Sequence, residues 1–301
     1  MCFARRNVSR RLCAVRRTLA GAVVAFAPCL SAVSLTAQAS DDVLTKARRY
    51  VSQFEQTFSS VLWHEQYVQE DHVPRKFTAS GTQFMQLTGK RNIESNMLLL
   101  WVPREGNWIA VRDFLTVDGT PPRRKEQGLG ATLDRPDVSL EDLRQLAAEN
   151  GRFNIGGILR TFSEPTLTLL FLDEQNRDRF AFRRAEGDRL GDRAAVVYQF
   201  DERKRPTLIR DESRNVPARG RLWIDAATGR ILQTLLELND RYGRITAEMT
   251  VRYGEYAGFD VLVPLEMRET YKSELSGEQV MTVATYSNFR KFETAARILR
   301  K

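Results

Sequence analysis

The sequence predicts an α+β protein made mainly of antiparallel sheet, with helices at the N-terminus and in the middle of the chain. Three observations predict it. A stretch at 41–60 repeats its apolar residues every three to four positions. From Val61 the period drops towards two. From residue 179 onward almost every segment has strand character, and the turns between segments are short.

The first thirty residues are unlike the rest. They hold all three cysteines, Cys2, Cys13 and Cys29, and six arginines with no acidic residue; the apolar run Leu19 to Leu30 and then Ala37-Gln38-Ala39 follow. A basic region, a short apolar region and a small-x-small site make a secretory signal peptide over 1–39, cleaved after Ala39. The expected product is a thiol-free chain, 40–301, in the periplasm or otherwise exported. Ser9-Arg10-Arg11 opens like a twin-arginine signal, but Leu12-Cys13-Ala14 continues it poorly, so the general secretory route fits better. The net charge of +8 also belongs mostly to this segment, because without its arginines 40 basic side chains face 38 acidic ones. That removes the main support for a nucleic-acid partner. The apolar run is shorter than a spanning helix needs, so no transmembrane segment is expected in the mature chain.

After the leader, Val43, Ala47, Tyr50, Val51, Phe54 and Phe58 fall on one face of a helix over Asp41 to Ser60, capped by Asp41 or Asp42. Val61, Trp63, Glu65, Tyr67 and Gln69 then share one strand face. Phe84 to Leu87 reads as a short strand. Met97 to Val102 is an almost continuous apolar run, turned by Pro103 to Asn107 into the returning strand Trp108 to Val117. Residues 119–137 read as a long exposed connection. Ser139 with Asp142 opens a helix, and Asn150-Gly151 stops it. Phe153 to Leu172 is the most apolar part of the mature chain. The remaining strands are Arg179 to Arg184, Ala194 to Phe200, Ala218 to Asp225, Arg230 to Leu238, Arg244 to Tyr256, Val261 to Tyr271 and Gln279 to Phe289, which together predict an antiparallel meander.

The hairpin Gly220-Arg-Leu-Trp-Ile-Asp-Ala-Ala-Thr-Gly-Arg-Ile231, with Pro264-Leu-Glu-Met and the terminal Tyr286-Ser-Asn-Phe-Arg, resembles the lipoprotein-carrier superfamily of periplasmic proteins. The resemblance spans about 41–292, and its quotable motifs lie in the C-terminal third. It implies an open, strongly curved antiparallel sheet, an incomplete barrel, with helices across the concave face over an apolar cavity. It implies a single domain over 40–301, with 119–150 as an insertion relative to the simple carriers. No functional residue of the family matches position by position.

Signatures of catalysis and metal binding are missing. His64-Glu65 starts like a zinc-protease helix, but Val68 stands where a second histidine is required. No Gly-x-Ser-x-Gly elbow occurs. The doublets Glu70-Asp71, Asp201-Glu202 and Asp211-Glu212 would point to opposite faces of a strand. We therefore expect no catalytic residue, no metal site and no cofactor. The one constellation with functional meaning is Ile155, Ile158, Leu159, Phe162, Leu167, Leu170 and Phe171, two apolar clusters on short helices around Ser163-Glu164-Pro165, with Gly156 and Gly157 as a hinge. It reads either as a plug of the core or as a movable cover over an apolar pocket that takes a lipid or a lipoprotein acyl chain. The leading expectation is a non-enzymatic envelope protein binding such a ligand. The alternatives are a scaffold with a packed interior that docks an envelope protein, and a hydrolase whose carboxylates come from separate strands.

Overall fold

The computed structural model describes residues 32–58, 60–77, 81–122, 128–135, 137–160, 163–185, 188–190, 193–211 and 214–291. Most of the expected leader, 1–31, lies outside the described residues, as does Phe162.

The chain opens with α1 (Ala32–Thr57), followed by β1 (Ser60–Lys76), β2 (Gln83–Val102) and β3 (Asn107–Val117). Two short helices follow, α2 (Leu129–Leu133) and α3 (Leu140–Ala148), then two 3-10 helices, Leu167–Leu172 and Glu174–Asn176. The remaining strands are β4 (Phe180–Arg184), β5 (Asp188–Leu190), β6 (Arg193–Glu202), β7 (Arg210–Asp211), β8 (Arg214–Asn215), β9 (Ala218–Ile224), β10 (Ile231–Asp240), β11 (Ile245–Gly254), β12 (Val263–Ser273) and β13 (Gln279–Lys291). Eleven of them form one open, curved antiparallel sheet in the order β3-β2-β1-β13-β12-β11-β10-β9-β6-β4, with β5 paired to β6. The expected α+β class and open sheet are what the chain adopts. β9 to β13 form the meander, and the sheet then continues from β13 to β1.

Alternation decides which side chains enter the core. On β1, Val61, Trp63, Glu65, Tyr67 and Gln69 are all buried, as their shared face predicts. The main core lines the same face of the sheet. It includes Met267 and Tyr271 of β12, Val280 and Ala284 of β13, and the apolar stripe of α1, Val43 to Phe58. Aromatic packing ties the helix to the sheet: Phe54 stacks on Phe58 at 4.3 Å, and Phe58 meets Trp63 at 6.3 Å. α1 begins at Ala32, so Asp41 and Asp42 lie inside it instead of capping it, and the helix runs through the expected cleavage bond after Ala39.

The apolar run Met97 to Val102 is buried on both sides of the sheet. Met97, Leu99 and Trp101 belong to the main core, whereas Leu98, Leu100 and Val102 join Ile109, Val111, Leu129, Val138 and Leu143 in a second, outer cluster. The second cluster corrects the reading of 119–137 as an exposed connection: α2 buries Leu129 and Thr132 and, with α3, covers the outer face of β2 and β3. α3 starts as its sequence predicts. The Ser139 hydroxyl accepts from the Asp142 amide at 3.2 Å, and the Asp142 carboxylate accepts from the Ser139 amide at 2.8 Å. The short strand expected at Phe84 to Leu87 is the far end of the twenty-residue β2.

The β9–β10 turn shows why glycine stands at 229. Its φ is +75°, and a β-carbon there would lie 2.6 Å from the β-carbon of Lys46 on α1, so the turn seats the helix as well as reversing the chain.

Candidate functional site: a polar cluster beneath a strap

Residues 149–160 and 163–176 run without a strand partner against the core face of the sheet. This segment, here the strap, was expected to contain two helices. Only the second exists, as the 3-10 helix Leu167–Leu172. Between Asn154 and Arg160 the backbone bends without forming a helix, and three features account for it. Gly156 has φ +82°. The Arg160 guanidinium donates to the Ile155 carbonyl at 2.9 Å. The Asn154 amide donates to the Arg160 carbonyl at 3.0 Å. Side-chain bonds of this kind replace helical ones.

The predicted cover residues separate by environment. Ile158, Leu170 and Phe171 are buried, Ile155 and Leu167 are half-buried, and Leu159 is 80% exposed. Phe171 stacks on Phe180 of β4 at 4.4 Å. At Gly156 a β-carbon would meet the Glu278 carboxylate at 2.6 Å and Val280 at 2.8 Å, so close approach alone requires glycine there.

Beneath the strap lies a feature that sequence reasoning did not collect. Two rungs of the sheet carry polar side chains into the core. Glu65 stands between Ser95 of β2 and Tyr286 of β13, and Gln69 stands beside Thr282, which faces Glu269 of β12. Arg112 of β3 donates to both oxygens of Glu65, Nε at 2.6 Å and Nη2 at 3.0 Å, and the Ser95 hydroxyl adds a bond at 2.8 Å. Around Glu269, Tyr67 donates at 2.9 Å, Thr282 at 2.6 Å and Tyr271 at 2.6 Å. Both glutamates are almost wholly buried, and each survives there because its oxygens are already bonded.

The strap is latched to this cluster. Ser163 donates to Glu269 at 3.0 Å, Arg160 Nη2 donates to Gln69 Oε1 at 2.5 Å, and the Ile155 amide donates to the same oxygen at 3.1 Å. Farther along, Tyr253 donates to the Pro165 carbonyl at 2.6 Å, and at the other end the Gly157 amide donates to Glu278 at 2.5 Å. Burial works against the charge of Arg112, but the Glu65 carboxylate overrides it and holds the guanidinium above its ordinary value. Burial also raises Tyr67 and Tyr271, with Glu269 adding to it, so both stay neutral donors. Burial pushes Glu164 of the strap up to about 7 against the opposing field of Arg112.

This chemistry holds a segment in place. Every oxygen of Glu65 and Glu269 accepts at least one bond, so neither is presented as a free base or nucleophile. His64 and His72 sit eight positions apart on a strand that does not turn between them, and among the described residues no three His, Cys, Asp or Glu side chains gather as metal ligands. One signal of the cluster was in the sequence: Glu65 and Gln69 interrupt the apolar face of Val61, Trp63 and Tyr67. Arg112, Arg160 and Glu269 carried no local signal.

No protein-family model matches the chain, and no curated protein matches it. Among solved structures it is similar to a domain from Vibrio parahaemolyticus named for outer membrane lipoprotein sorting, at 10% identity and a TM-score of 0.35 over 87% of this chain and 100% of that one. It is also similar to a DUF1329 family protein from Desulfovibrio piger, at 12% identity and a TM-score of 0.33 over 83% of this chain and 93% of that one. No helix among the described residues is long and apolar enough to cross a membrane.

Proposed function

We propose that this is an exported, non-enzymatic envelope protein that holds an apolar ligand, a lipid or a lipoprotein acyl chain, on the concave face of its sheet, with the strap as the cover. One observation carries the reading. Ile158, Leu169, Leu170, Phe171 and Leu172 contribute to the main core, yet their backbone belongs to no sheet and is fastened by a handful of polar bonds. Lifting the strap would uncover the apolar side chains of the core beside the polar cluster, without breaking the sheet.

The energies are compatible with exchange. Returning those five side chains to water costs roughly 1.5–3 kcal/mol each. An acyl chain of about a dozen methylenes gains ~0.8 kcal/mol per methylene, or ~10 kcal/mol in all. The two quantities are of one size, so latch bonds of about 1 kcal/mol each decide which occupant prevails.

Native mass spectrometry of gently purified protein is expected to show a bound acyl species, and a fluorescent fatty acid is expected to bind. Ser163→Ala, which removes the strap's bond to Glu269, should tighten that binding. A strictly ligand-free chain that ignores the fluorescent fatty acid would refute the proposal. The packing of α1 and the strap against the sheet favours the scaffold reading as the second choice. On that reading Phe171→Ala leaves partner binding unchanged, and only substitutions of exposed residues abolish it. Export is tested separately, by sequencing the N-terminus of protein recovered from the periplasm, which should begin at Ser40.

A further inference from the structure

Of the nine large hydrophobic side chains exposed among the described residues, six lie on three neighbouring elements. Phe77, Phe84, Met85 and Leu87 lie on the far end of the β1–β2 hairpin, Leu275 lies on the β12–β13 turn, and Leu159 lies on the strap. Contacts bring these three elements to one rim. A β-carbon on Gly277 would lie 2.8 Å from Pro74 Cγ, joining the turn to the hairpin. The Gly157 amide bonds Glu278, joining the strap to the same turn.

The hairpin end is a free ribbon. β13 pairs with β1 only as far as His72, and β3 pairs with β2 only as far as Ile93. Beyond those points, among the described residues, β1 and β2 pair only with each other, with Arg75 opposite Phe84 and Pro74 opposite Met85. Opposed pairs share a face, and successive pairs alternate. Phe84, stacked on Phe77 at 4.6 Å, is therefore on one face, whereas Met85 and Leu87 are on the other. A groove on a protein partner would need apolar groups on one face only. Apolar groups on both faces suit immersion in a medium that is apolar on every side. From His72 to Thr88 the sequence contains Arg75 and Lys76 and no carboxylate, so the described residues of the ribbon carry positive charge only. Both cations are exposed, placed next to the aromatic pair where long stems can lie along apolar matter with their charges in the headgroup layer.

We infer that the end of the β1–β2 hairpin is a membrane-seating wedge that enters the surface of a bilayer rich in anionic phospholipid. It places the rim of the concave face, with Leu159 of the strap and Leu275, against the lipid. This goes beyond the acyl-binding proposal and stands without it: the ribbon engages headgroups and the outer part of the acyl layer whether or not a lipid ever enters the sheet.

The test is flotation of the protein, recovered after expression with its own leader, with protein-free vesicles. One set contains phosphatidylglycerol in phosphatidylcholine, the other phosphatidylcholine alone. Flotation is expected with the first set and much less with the second. Phe77→Ser/Phe84→Ser/Met85→Ser should lower vesicle affinity more than tenfold. Arg75→Gln/Lys76→Gln should cost about fivefold per cation on the anionic vesicles and little on the neutral ones. Phe84→Trp should show a blue-shifted emission component on adding anionic vesicles. Wild-type protein that does not float with anionic vesicles, or variants that float as well as wild type, would overturn the inference. Binding confined to envelope membranes that retain their proteins would also overturn it, and would assign the ribbon to a protein partner. Melting curves report whether each variant is folded. Fatty-acid binding by the triple-serine variant, expected unchanged, keeps failure of this inference apart from failure of the acyl-binding proposal.

Discussion

The two ends of the β1–β2 hairpin reverse each other. At the base, Glu65 and Gln69 are sealed in the core; at the tip, Phe77, Phe84 and Met85 stand in the open. The same two strands supply both ends, so strand propensity does not account for the difference. Neighbours do. At the base, β13 and β3 flank the pair, α1 and the strap cover it, and Arg112 reaches across to neutralise Glu65. At the tip, among the described residues, no third strand pairs with the ribbon and only the β12–β13 turn touches it, at Pro74. Exposure along a strand is decided by what the rest of the chain places beside it, and a polar residue tolerates burial only where partners meet it.

Breaking the base should have the largest effect. Arg112→Met strands the Glu65 carboxylate in the core and is expected to cost about 3–5 kcal/mol, read as a fall in the urea midpoint. Loosening the strap is milder. Ser163→Ala removes one bond to Glu269 and should cost about 1 kcal/mol, with faster proteolysis inside 149–166 as its local signature. The interior also sets a pH dependence. Burial, aided by Asp173, pushes Glu55 of α1 up to about 8. The folded chain therefore holds a proton there that the unfolded chain releases above about 4.5. Stability from this group is full below that pH and declines as pH rises towards 8. Urea midpoints should fall across that window, and Glu55→Gln should flatten the slope. At the tip, Phe77→Ser/Phe84→Ser should leave stability within about 0.5 kcal/mol. A large loss there would mean that the ribbon is part of the folded core after all, and the contrast with the base would collapse.

How much of this was legible depended on whether the cause was local. The inward face of β1 follows from alternation alone, and all five residues assigned to it are buried. The helix at Ser139 follows from its capping box. The burial within 119–137 was missed because the two leucines that fasten α2, Leu129 and half-buried Leu133, meet a cluster whose other members lie on β2 and β3, at Val138 and on α3. The helix expected over Ile155 to Phe162 had suitable apolar spacing, but Arg160, reaching Gln69 and Ile155, imposes a different path, and no local pattern shows that reach. The polar cluster was half visible. Its β1 members break an apolar face in plain sight, whereas Arg112 and Glu269 lie on strands 47 and 204 positions from Glu65 and meet the cluster only in the folded sheet.

The neighbour relation of β1 and β13 has a consequence for how the protein is made. The seam between them lies inside the sheet and joins residues more than two hundred positions apart, from Val61 opposite Lys291 to His72 opposite Gln279. Contacts this distant along the chain form late, because a long loop must close first. During synthesis β1 to β3 wait with a bare edge until the last strand arrives, so the nascent protein stays open-edged, and vulnerable to pairing with the wrong partner, for almost the whole of its production.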